Sequence, residues 1–176
     1  VCTCLNPLHT ALAVFGCLLG YDLISKEMKD PVLKKLVETI GYKEGLPVVV
    51  DPGILDPKEF IATVLNVRIP NPFMPDTPQR IATDTSQKLP IRFGETVKAY
   101  LRSDKLDVSD LKCIPLVYAG WVRYLMAVDD NGEHFELSPD PLLETVCPYV
   151  ASVRLGDGTD AAKAKELLQP LLTDKE

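Results

Sequence analysis

The sequence contains no GxGxxG turn and no GxxxxGK[ST] loop, so it lacks both backbone cradles that commonly receive a dinucleotide or the phosphates of a nucleoside triphosphate. It also has no CxxC pair. Its five cysteines (Cys2, Cys4, Cys17, Cys113, Cys147) and two histidines (His9, His134) follow no zinc spacing, and Cys2 and Cys4 stand too close together for one. They read as free thiols of a reducing cytosol, with no metal. Lys and Arg form no dense cluster, and a net charge of -6 with a pI near 5.0 argues against a nucleic-acid surface. The apolar run at 8–19 is too short to span a bilayer and has no basic leader or cleavage signature. No internal repeat or low-complexity segment is present.

What remains is an ordinary globular composition: 176 residues, 46% hydrophobic and 25% charged, enough for one domain with a sizeable core. There is no initiator Met. The chain opens at Val1, already inside an element leading into a helix, which predicts a domain cut from a longer polypeptide. Helical spacing dominates. Helices are expected from Asn6 to about Leu19 with Gly20 as cap, over 21–28, from Pro31 to near Gly41, from Pro57 to no later than Ile69, from Pro78, from Gly94 to Leu101, over 111–128 and over 160–172. The 111–128 helix is the most apolar and is expected at the centre, capped by Asp107 or Ser109. Residues 46–50 favour an edge strand or a buried connector, and 129–132 a turn. Prolines at 70, 72, 75 and 78 make a stiff loop. The fold class is mainly α, with at most minor β.

Two polar groups stand out. Asn6 and His9 lie three residues apart at the start of the first helix, Asn6 as its expected cap and His9 in its first turn. A helix N-terminus carries positive partial charge, which favours a neutral imidazole and attracts developing negative charge. On residue types alone, the same pair also suits a plain cap beside a half-buried histidine. The second group is cationic: Arg68, Arg80, Lys88 and Arg92 against Asp76 and Asp84, in a chain that is acidic overall. It suits an anionic substrate held by Arg forks and a Lys point charge, and equally a solvated face with local ion pairs.

Residues 4–10 (CLNPLHT), 68–72 (RIPNP), 80–90 (RIATDTSQKLP), 119–125 (AGWVRYL) and 128–132 (VDDNG) resemble, in order and spacing, the C-terminal domain of the polyol-specific long-chain dehydrogenases. That family includes mannitol 2-dehydrogenase, fructuronate reductase (D-mannonate oxidoreductase) and tagaturonate reductase. The resemblance covers nearly the whole chain. It implies a multi-helical domain of the 6-phosphogluconate-dehydrogenase-like type that binds substrate and completes catalysis over residues 1–176, with NAD bound mainly by an N-terminal Rossmann domain absent from this chain. It further implies zinc-independent, cytoplasmic chemistry on a small sugar acid or polyol, with no nucleic acid or membrane partner and little activity from this fragment alone.

The resemblance makes Asn6 the donor to the substrate carbonyl, His9 its helper, and Arg80 and Lys88 the substrate-binding cations, with Arg68 and Arg92 beside them. One departure stands out. The family's catalytic Lys belongs a few residues before the Asn, at or before Val1, where this sequence has none. The expected activity is interconversion of D-fructuronate and D-mannonate. Mannitol 2-dehydrogenase and tagaturonate reductase are the alternatives within the family, and a non-catalytic helical interaction domain is the alternative outside it.

Overall fold

Helix α1 (Asn6–Leu19) is the body around which the other helices are laid. Its apolar side chains run nearly all round, and Leu8, Ala11, Leu12, Ala13 and Val14 are completely buried, as a helix enclosed on every side requires. The structure is a computed structural model and describes residues 3–153 and 161–173. Val1, Cys2 and Asp160 lie outside them, and with them the place expected for the lysine. Around α1 pack α2 (Ile24–Glu27), α3 (Pro31–Thr39), α5 (Pro78–Ala82), α6 (Thr85–Leu89) and α8 (Cys113–Leu125). The central helix is therefore α1 and not α8, whose Leu116 is 49% exposed.

The start of α1 differs from expectation. Leu5, not Asn6, is the cap residue; it takes a right-handed helical conformation and makes no side-chain cap bond. Winding thus begins a residue early, Asn6 becomes the first helical residue, and its carboxamide is released from capping. The end is as expected. Gly20 sits at φ 73, and the Tyr21 N–H returns to the Gly16 carbonyl at 2.9 Å, the left-handed stop that glycine makes at little cost.

Three other helices start by local chemistry. The Asp30 carboxylate accepts the Val32 and Leu33 N–H groups at 2.7 and 3.2 Å and starts α3. Asp56 accepts from Glu59 at 2.9 Å and starts α4 (Pro57–Thr63), and Thr77 accepts from Arg80 at 3.1 Å and starts α5. Three helical runs pass into widened π turns, at Ile40–Gly45, Val64–Arg68 and Pro90–Gly94, the last leading into α7 (Glu95–Arg102).

Three expectations are corrected. Leu46–Val48 is a 3-10 turn and no strand: Pro47 has no N–H for a ladder. Among the described residues, β structure is limited to an isolated antiparallel bridge between Val128 and His134. Residues 83–88 are a plain polar stretch by sequence, yet 85–89 form α6, because Asp140 accepts the Ser86 N–H at 2.8 Å from 54 residues away and Thr85 is buried. Finally, Asp107 caps only a short turn at Val108–Asp110. Helix α8 starts at Cys113 and is capped by Glu44, which accepts from Lys112, Cys113 and Ile114 at 2.7, 2.7 and 2.8 Å. Helices α9 (Leu143–Val146) and α10 (Ala161–Thr173) close the chain, and α10 buries Leu171. No helix among the described residues is long and apolar enough to cross a membrane.

Candidate active site

The first turn of α1 presents Asn6 and His9, both half-buried. With capping left to the backbone, no group among the described residues hydrogen-bonds the Asn6 carboxamide, so its N–H donors are available. The Asn6 backbone carbonyl is engaged: it accepts the Thr10 hydroxyl at 3.1 Å and Nη1 of Arg92 at 3.3 Å. Burial, then the charges of Arg92 and Arg80, lowers the His9 pKa to about 4, so the ring is neutral at neutral pH. A neutral imidazole can donate from one nitrogen and accept at the other.

Arg92 arrives from the widened turn after α6, where Phe93 is fully buried. Its Nη1 also donates to the Thr10 hydroxyl. Lys88, on α6, is half-buried and donates to the Ile81 carbonyl at 3.1 Å. Burial lowers its pKa first and Arg92 and Arg80 lower it further, against the opposing pull of Asp84 and Asp140. Arg80, on α5, is exposed and ion-paired with Asp76 one turn before it. The Asp76 carbonyl accepts the Ile24 N–H at 2.9 Å and so ties that loop to α2.

The structure thus brings Asn6, His9, Arg80, Lys88 and Arg92 into one neighbourhood. Arg92 touches the turn bearing Asn6, and Arg92 and Arg80 both act on His9 and on Lys88. Arg68 is not brought there. It is exposed in the π turn after α4, its guanidinium 6.0 Å from the Phe60 ring centroid, and it acts on neither His9 nor Lys88.

Sequence reasoning named Asp76 among the acids of this region, and the structure pairs it with Arg80, but it passed over two residues. Thr10 and Asp140 gave no signal, since their partners Arg92 and Ser86 are 82 and 54 residues distant. Chemically, three cations around an unengaged carboxamide and a neutral imidazole suit an oxygen that carries or acquires negative charge. No group of three or more His, Cys, Asp or Glu among the described residues could hold a metal ion.

The described residues also form no strand, turn and helix unit of the kind that cradles a dinucleotide. A dinucleotide cradle is therefore not found among the described residues.

Comparison with known proteins shows the family of the chain. The model of the mannitol dehydrogenase C-terminal domain matches residues 2–172. The D-mannonate oxidoreductase of Thermotoga maritima is 61% identical over 176 residues, all of this chain and 32% of that protein. The D-mannonate oxidoreductase of Escherichia coli K12 is 32% identical over 170 residues, 97% of this chain and 33% of that one. Among solved structures, the Pseudomonas fluorescens mannitol 2-dehydrogenase ternary complex with NAD and D-mannitol superposes with a TM-score of 0.78 at 27% identity, over 94% of this chain and 31% of that chain. The chain spans about a third of the length of these relatives. Because the match runs almost end to end and takes in both segments that build the cluster, the chain belongs to the mannitol dehydrogenase C-terminal domain family.

Proposed function

We propose that this chain is the substrate-binding and catalytic domain of an NAD-dependent oxidoreductase that interconverts D-fructuronate and D-mannonate. The observation that carries the proposal is the Asn6 carboxamide, which no group among the described residues hydrogen-bonds, beside a neutral His9 and flanked by Arg80, Lys88 and Arg92. The identity to the Thermotoga D-mannonate oxidoreductase supports the choice of a sugar acid, and so does the positive charge. Free thiols at Cys4, Cys17, Cys113 and Cys147 suit a reducing cytosol.

A nicotinamide held by a separate Rossmann domain supplies or accepts the hydride. This chain's residues do the rest. Asn6 donates to the keto oxygen and holds it more strongly as charge accumulates there, which lowers the barrier and not merely the substrate's free energy. His9, kept neutral, orients the hydroxyl on the adjacent carbon. Arg80 and Lys88 hold the carboxylate at the far end, a fork and a point charge. The proton that completes the alcohol comes from the lysine that the family pattern places ahead of Asn6.

Mannitol 2-dehydrogenase activity is the second reading, favoured by the structural likeness to the Pseudomonas enzyme. One experiment separates the two. Residues 2–172 of this chain replace the matching third of the Thermotoga enzyme, and NADH oxidation is followed with D-fructuronate and with D-fructose. The expected result is a kcat/KM for fructuronate at least about 10²-fold higher, because a neutral ketose offers Arg80 and the half-buried Lys88 no carboxylate. Preference for fructose favours the second reading. Activity on neither substrate, in a folded graft that binds NADH, favours an interaction domain.

A further inference from the structure

The guanidinium of Arg92 is anchored to the protein through Nη1. Nη1 donates to the Asn6 carbonyl at 3.3 Å and to the Thr10 hydroxyl, and that hydroxyl passes a bond on to the same carbonyl at 3.1 Å. Thr10 is 1% exposed, so the network lies beneath the surface that Asn6 and His9 present. The turn it grips has no side-chain cap of its own, since Leu5 supplies only backbone. The mount is stiff. Phe93, the next residue, is fully buried edge-on to Tyr118 with ring centroids 6.2 Å apart, and the Tyr118 hydroxyl donates to the Leu89 carbonyl at 3.3 Å.

We propose that Arg92 and Thr10 form a positioning pair, which fixes the first turn of α1 and thereby the directions in which Asn6 and His9 meet the substrate, while Arg92 itself makes no substrate contact. This rests on the reductase reading of the same cluster, and it changes the role expected for Arg92 from clamp to brace. A donor aimed at a developing alkoxide works only if its direction is set before reaction, and a brace rooted in the core supplies that. Arg92 also adds fixed positive charge next to His9. Of the charged groups on the elements packed against α1, Arg92 and then Arg80 act most on that ring.

The first test uses the 176-residue chain and needs no turnover. His9 and His134 are its only histidines, so a His134→Gln variant assigns the His9 ring signals in an NMR titration. Arg92→Gln should raise the His9 midpoint from about 4 and shift the backbone amides of Asn6, Leu8 and His9. Arg92→Lys, which keeps the charge and loses the fork, should leave the midpoint low and still shift those amides. Thr10→Val should do the same, and it serves if Arg92→Gln does not fold. Amides of Asn6, Leu8 and His9 unmoved in both Arg92→Lys and Thr10→Val would overturn the proposal.

The second test uses the graft. Arg92→Lys should lower kcat about tenfold with KM for D-fructuronate changed less than about twofold. A rise in KM with kcat intact would make Arg92 a substrate clamp and overturn the proposal. A graft inactive on every substrate would count against the reductase reading alone, because the titration and the amide shifts still decide whether the brace exists.

Discussion

A Cβ atom added to Gly16 would stand 2.2 Å from Oε1 of Glu27, so α1 and α2 meet there with room for a buried carboxyl and nothing more. Glu27 is completely buried and neither of its oxygens has a hydrogen-bond partner among the described residues, and burial pushes its pKa up to about 9. The carboxyl is therefore protonated at neutral pH. Its raised value stabilises the fold fully below the ordinary carboxylate pKa, and that contribution is lost as pH rises through about 9.

Glu27→Gln, which keeps the shape and cannot ionise, should flatten the alkaline side of the stability profile. Thermal melting between pH 5 and pH 9 measures it. The unchanged protein should lose Tm steadily across that window, and the variant should lose markedly less. Equal slopes would mean that Glu27 titrates as an ordinary carboxylate.

His9 has the opposite sign. Its folded pKa lies near 4 against an ordinary 6.5, so its contribution is present above 6.5 and lost as pH falls through about 4. His9→Gln should therefore reduce the acid sensitivity of Tm between pH 6.5 and 4 while leaving Tm near pH 8 within a few degrees. Melts of the two proteins at pH 4.5 and pH 8 check this, and an unchanged difference between the two pH values contradicts it.

Glu44 carries the start of α8 on its own, accepting three backbone N–H groups from a position 3% exposed. Glu44→Ala should cost about 3 kcal/mol or more, since the acceptor is lost and one buried and two partly buried N–H donors are left without it. Urea unfolding measures the loss. A change under about 0.5 kcal/mol, the level of an ordinary surface substitution, would show that the cap contributes little.

Roles within the cluster separate in the graft. Asn6→Ala should lower kcat about 10²-fold, as removal of a transition-state donor does, whereas Arg80→Ala should act mainly on KM. Asp76→Asn should raise KM by less than Arg80→Ala, because it releases Arg80 from its ion pair without removing it. Its effect on stability should be small, since Arg80 is mostly exposed. Steady-state kinetics on D-fructuronate decide each. Asn6→Ala acting on KM alone would remove Asn6 from the reacting centre.

What the sequence disclosed and what it withheld follow a physical line. Helix starts at Asp30, Asp56 and Thr77 were legible because cap, proline and first turn are neighbours in the chain. The start of α8 was not, because its cap, Glu44, stands some 70 residues earlier, and α6 was hidden for the same reason through Asp140. Asn6 was misread as a cap because nothing local reveals that Leu5 adopts helical angles.

In the cluster, His9, Arg80 and Lys88 were found from motif likeness, and the structure brings them together. Arg68 and Arg92 looked alike as charges near the same motifs. Only three-dimensional contacts show one lying over Phe60 and the other gripping the turn that carries Asn6.

The most direct test of the central claim is a crystal structure of the grafted enzyme with NAD and D-mannonate bound. The account predicts the oxygen of the reacting carbon within about 3 Å of the Asn6 carboxamide nitrogen and the carboxylate on Arg80 and Lys88, with Arg92 still on the Asn6 carbonyl. A sugar acid seated away from both Asn6 and the Arg80 and Lys88 pair would contradict it.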